Sequence, residues 1–182
     1  TDETVMGQSN GDGQAAGPLT LSAYDTYAKV NPPLRTRQDV DAMVSGLRDG
    51  VIDFVATDHA PHNSVEKLCT FQEAAFGISV LETALGSLLT LVHAGQLTLP
   101  LVVEKLTHAP ARFLGRTDIG SLKPGSEADV TIFDPDAEWV FDVTESPSKS
   151  ANTPFHGWTL KGQPIMTLVA GKIVWQIDAV AA

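Results

Sequence analysis

The apolar residues of this chain change their period at Gly120, and no other feature narrows its possible folds as much. Upstream the repeat is helical. Thr36 with Asp39 three residues on forms a capping box, after which Val40, Met43, Val44 and Leu47 recur on one face before Gly50, predicting a helix from about Arg37 to Asp49. Ser79 with Glu82 reads as a second capping box, opening a face of Leu81, Leu85, Leu88, Leu89 and Val92 that stops at Gly95. Thr98 ahead of Pro100 starts another helix, and Thr107 begins a short one through Phe113, closed by Gly115. Between them Ile52 to Thr57, IDFVAT, is a short run of β-formers, and Tyr24 onward reads as a strand end running into the rigid Asn31-Pro32-Pro33 turn. Strand, helix, strand is the rhythm of a mostly parallel sheet.

Downstream of Gly120 the period is two. Ala128 to Phe133, Glu138 to Phe141, Trp158 to Lys161, Ile165 to Val169 and Lys172 to Gln176 read as short strands, the last two joined by a tight Ala170-Gly171 turn. The expected organisation is a glycine-rich flexible segment over residues 1–23, an α/β part over 24–119 and a β-rich part over 120–182. At 182 residues the chain is too short for a complete α/β barrel, which takes about 250.

With 43% hydrophobic and 19% charged residues the chain can bury a core. Its net charge of −10, without a local Lys/Arg cluster, repels phosphate backbones, so a nucleic-acid partner is not expected. A single cysteine, Cys69, excludes an internal disulfide framework and fits a cytoplasmic location. The longest apolar run, Leu97 to Val103, is broken by Thr98 and Pro100 and far too short to span a membrane.

Chemistry concentrates after the IDFVAT run, where Asp58, His59 and His62 fall in the loop that parallel α/β folds use for ligands and catalysis. The bland alternative is that Asp58 caps a turn and His59 packs locally. These three cannot hold a metal alone, because Asp58 and His59 are adjacent and point apart in an extended segment, and no His-x-His or HExxH completes the set. One carboxylate of a larger metal site is the better reading. His93, His108 and His156 sit in helix-end or turn contexts and read as structural.

The segments KVNPPLR (Lys29 to Arg35), ATDHAPH (Ala56 to His62), AAFGISVLETAL (Ala74 to Leu85) and GSLKPGSEADVTIFD (Gly120 to Asp134) resemble, in order and spacing, the C-terminal part of bacterial dihydroorotases of the amidohydrolase superfamily. The resemblance implies the C-terminal part of a (β/α)8 metal-dependent hydrolase barrel plus strands of a flanking β-sandwich. It implies that Asp58 ligates one of one or two zinc ions and acts as general base, and that Asn31, His62, Phe76 and Gly77 bind a small cyclic-amide substrate. Arg35 and His59 are supporting candidates, His59 beside the metal-bound carboxylate. The other metal ligands are expected in an N-terminal barrel segment before Thr1, so that residues 1–182 alone are expected to be inactive. A homodimer or an aspartate transcarbamoylase partner is the assembly the resemblance suggests. Hydantoinases and dihydropyrimidinases share the PPLR and aspartate-histidine segments and are the nearest alternative; a non-catalytic scaffold for the transcarbamoylase is the other.

Overall fold

The computed structural model describes residues 24–177, so the glycine-rich segment 1–23 lies outside the described residues. Contacts divide the chain into two compact units that interleave along the sequence. One holds residues 24–43, Thr57–Ala84 and Val140–Thr159; the other holds Val44–Ala56, Leu85–Trp139 and residues 160–177.

In the first unit a 3-10 turn at Thr26–Ala28 replaces the expected strand end. The Asp25 carboxylate accepts from the Tyr27 amide and fixes this turn, and the Asn31-Pro32 peptide that follows is cis. Helix α1, Arg37–Arg48, begins in this unit, and its predicted cap is present: the Thr36 and Asp39 side chains each accept from the other's backbone amide. Helix α2 is a single turn, Ser64–Lys67, opened by an Asn63/Glu66 capping box. Sequence periodicity is blind to so short an element. Residues 71–83 form turns, bends and irregular backbone around the bridge residue Ile78, so the helix expected to open at Ser79 starts only at Ala84. The Ser79/Glu82 pair does not cap, because Ser79 is buried on Asn152 and Glu82 receives the Ser146 hydroxyl.

In the second unit helix α3, Ala84–His93, carries a fully buried Leu89. Helix α4, Leu99–Leu106, starts where Thr98 accepts from the Leu101 amide, and α5, His108–Phe113, follows. Val44, Leu97 and Val102 form the core, with Leu88 and Val92 against it. Val40 and Met43, predicted on the same face as Val44, stay exposed. Ile52 to Thr57 is extended but forms no ladder among the described residues; instead the Val55 amide donates to the Lys105 carbonyl, and the Lys105 ammonium holds the carbonyls of Ile52 and Asp53.

The β-rich part forms a sheet of order β1-β2-β3, with β1 at Val130–Val140, β2 at Thr159–Val169 and β3 at Lys172–Gln176. The five short strands expected are thus three, two of them eleven residues long, because neither Asp134-Pro135 nor Gly162 to Pro164 interrupts the extended backbone. The Ala170-Gly171 turn is as read, both residues left-handed at φ 48° and 75°, joining β2 and β3 antiparallel. Two glycines let α3 lie close on β2: a side chain at Gly86 would meet Leu160, and one at Gly162 would overlap Leu89.

Candidate active site

Asp58 ends the extended segment in an unusual conformation. Its φ of +49° lies in the left-handed region, which aspartate tolerates better than most residues, and the turn presents an exposed carboxylate. Among the described residues no hydrogen bond or ion pair engages that carboxylate. Strained backbone holding a polar group without an internal partner is a common mark of a working site.

The next residues are tied down firmly. His59 pairs with Ile78 in a parallel bridge, and the Ala60 amide donates to the Ile78 carbonyl at 3.0 Å. The His59 ring accepts at Nδ1 from the amides of Val80 and Leu81, at 3.1 and 3.2 Å, which leaves its proton on Nε2. His59 therefore anchors the 80–81 turn through Nδ1, and only Nε2 remains to support a neighbour.

His62 spends both ring nitrogens inside the protein. Nε2 donates to the Phe76 carbonyl at 2.9 Å, since a carbonyl only accepts, and Nδ1 faces the Glu66 carboxylate at 3.3 Å. Gly77 is buried at φ +128°, and a Cβ there would fall 2.5 Å from the Cβ of Ala60. Its amide donates to the Lys29 carbonyl and its carbonyl accepts from Asn152, so the backbone polar groups of Gly77 are already used. Glycine serves here for close approach of two chain segments, and Phe76 beside it is exposed.

Asn31 lies exposed two residues beyond Lys29, its side-chain amide unengaged among the described residues. Three distant pieces of sequence, around residues 29–31, 58–62 and 76–81, are thus brought together, with Asp58, His62, Phe76 and Gly77 on them. Arg35 is not among them: its guanidinium pairs with Asp39 at the start of α1.

Three contributors escaped the sequence reading. Asn152, 2% exposed, bonds to Ala60, His62, Gly77 and Ser79. The buried Lys29 ammonium donates to the carbonyls of Gln72 and Ala74 and sits 4.4 Å from the centre of the Phe76 ring. Lys67, fully buried, donates to the carbonyls of Thr26 and Ala75; burial, reinforced by the nearby Lys29 charge, pushes its pKa below the usual lysine range. The only sequence signal for these was the Asn-Thr-Pro turn at residues 152–154 and the position of Lys29 in the KVNPPLR segment.

No group of three or more His, Cys, Asp or Glu able to hold a metal exists among the described residues. The unpaired Asp58 carboxylate fits one position of a coordination sphere and no more. Nor does any helix among them have the length and apolarity to cross a membrane.

Comparison with known proteins defines the class. The chain belongs to the amidohydrolase family, whose model matches residues 26–174. The dihydroorotase of Geobacter metallireducens is 53% identical over 156 residues, which cover 86% of this chain and 37% of that protein. The dihydroorotase of Syntrophus aciditrophicus is 51% identical over 158 residues, 87% and 37% of the two chains. Among solved structures, the L-hydantoinase (dihydropyrimidinase) of Arthrobacter aurescens superposes with a TM-score of 0.80 at 32% identity, covering 87% of this chain and 36% of that one. The chain spans little more than a third of the length of these relatives. The (β/α)8 hydrolase fold class read from the sequence is borne out.

Proposed function

We propose that this chain forms part of a zinc-dependent dihydroorotase, which reversibly opens the cyclic amide of dihydroorotate to carbamoyl aspartate in pyrimidine synthesis. The observation that carries the reading is the Asp58 carboxylate, exposed on a left-handed turn and without an internal partner. Identity of about half to dihydroorotases over most of the chain supports the substrate.

In this reading Asp58 supplies one ligand, and the remaining ligands come from an N-terminal barrel segment. When bound there, zinc would make a nucleophilic water available at neutral pH and polarise the amide carbonyl. Asp58 takes the proton from the attacking water and delivers it to the departing ring nitrogen as the C–N bond breaks, a transfer worth about 10²- to 10⁴-fold. The open Asn31 amide donates to the substrate carboxylate or ring. Phe76 walls the ring, with the Lys29 ammonium behind it favouring an anion. His62 reaches the substrate by exchanging one of its present partners, Phe76 or Glu66. Residues 24–119 belong to the barrel and 120–182 to the flanking sandwich, in a cytoplasmic enzyme.

A second reading, a hydantoinase-type enzyme for uncharged cyclic amides, is compatible with the structural likeness to L-hydantoinase, at 32% identity against about half for the dihydroorotases. Steady-state turnover of dihydroorotate and of a 5-substituted hydantoin by the assembled enzyme separates the two, a preference for hydantoin rejecting dihydroorotase. Asp58→Asn in that enzyme is expected to lower kcat by about 10²-fold or more without changing its thermal unfolding. Near-normal turnover would remove Asp58 from the chemistry.

A further inference from the structure

We propose that Asn152 is the positioning residue of this site, acting on substrate binding and not on the proton transfer; the inference rests on the cyclic-amidohydrolase reading above. Its amide is buried and fully used. Nδ2 donates to the carbonyls of Ala60 at 3.0 Å and Gly77 at 3.1 Å. Oδ1 accepts from the His62 amide at 3.0 Å and the Ser79 hydroxyl at 2.9 Å, with the Ser150 hydroxyl between Oδ1 and the His62 carbonyl. The orientation of the amide is fixed, because the His62 N–H can only donate and the two carbonyls can only accept.

The side-chain bonds of Asn152 thus land on, or next to, the segments that carry His62, Phe76 and Gly77. None lands on Asp58, whose placement follows from its own left-handed turn and the His59–Ile78 bridge. Only a neutral amide offers two donors to one end of this gap and an acceptor to the other. Aspartate matches its shape but turns a third oxygen toward two carbonyls. Without the donor end, the Ala60 and Gly77 carbonyls lose their common tie, and the substrate-facing wall loosens around the remaining Ala60–Ile78 and His62–Phe76 bonds before the proton-transfer group moves.

The test is steady-state kinetics of N152D in the assembled enzyme, across mildly acidic to alkaline buffers, with bound zinc measured in parallel. Expected are a KM raised about tenfold, kcat within about threefold of wild type and unchanged zinc content. A carboxyl facing two carbonyls is held toward its protonated form, and protonation restores one donor. The ratio of variant to wild-type KM is therefore expected to fall as the pH is lowered. A ratio that stays at one, a ratio independent of pH, or a loss confined to kcat or to the folded fraction overturns the proposal. Should N152D fail to fold, S150A decides: a KM raised about threefold supports the role, and an unchanged KM rejects it. If wild type turns over only a hydantoin, the substrate assignment fails, and the same ratios measured on hydantoin still test Asn152.

Discussion

A hydrogen atom at Gly77 stands where any side chain would collide with Ala60, on backbone that other residues rarely adopt. Gly77→Ala is therefore expected to push residues 59–62 away from 76–78. Overpacking of this kind costs about 1–3 kcal/mol, to be read from urea denaturation, and the same displacement should cut kcat/KM by more than tenfold. Lys67 is tested by pH. Its folded pKa lies below the ordinary lysine value of 10.5 because burial disfavours the ammonium. Between those two values the unfolded chain holds a proton that the folded chain has released, so stability rises with pH through that window. Denaturation midpoints measured across it should climb for wild type and climb less for Lys67→Met. At neutral pH the same variant should be destabilised, since stranding a buried carbonyl costs about 1–3 kcal/mol.

Among the elements, the caps show what local sequence determines. The Asp39 carboxyl titrates below its ordinary value of 3.8, chiefly because it accepts from the Thr36 hydroxyl. Its contribution to α1 is complete above that value and is lost as pH falls through the lowered one, so the helical circular dichroism of wild type should drop there and that of Asp39→Asn should not. The starts of α1 and α4 and the Ala170-Gly171 turn were legible in the sequence because each depends on residues within three or four positions. The Ser79/Glu82 cap was misread for the complementary reason: both side chains have partners more than sixty residues away, Ser79 at a separation of 73 and Glu82 at 64. Ile52 to Thr57 has the composition of a strand, but a strand also needs a neighbour, and here helices take the backbone bonds that are made: the Ile52 amide donates to the Gly46 carbonyl of α1, and Lys105 of α4 engages the Val55 amide and the carbonyls of Ile52 and Asp53.

At the scale of the whole molecule, the described residues contain no group of three or more His, Cys, Asp or Glu able to hold a metal, so the proposed role of Asp58 requires ligands from elsewhere. Purified residues 1–182 in zinc-supplemented buffer are therefore expected to bind far less than one zinc per chain and to leave dihydroorotate unopened, measured by metal analysis and by substrate absorbance. The motifs around Asp58, His62 and Gly77 were legible because each is a local string; Asn152 was not, since its bonds to Gly77 and Ala60 cross 75 and 92 residues. Lys67 carries a broader lesson. Its ammonium grips the main-chain oxygens of Thr26 and Ala75, which every amino acid possesses. Substitution at position 75 leaves that oxygen in place, so a comparison of many relatives would show no paired exchange between positions 67 and 75, and a method that infers proximity from correlated mutation would pass over a bond made by one of the most deeply buried side chains among the described residues.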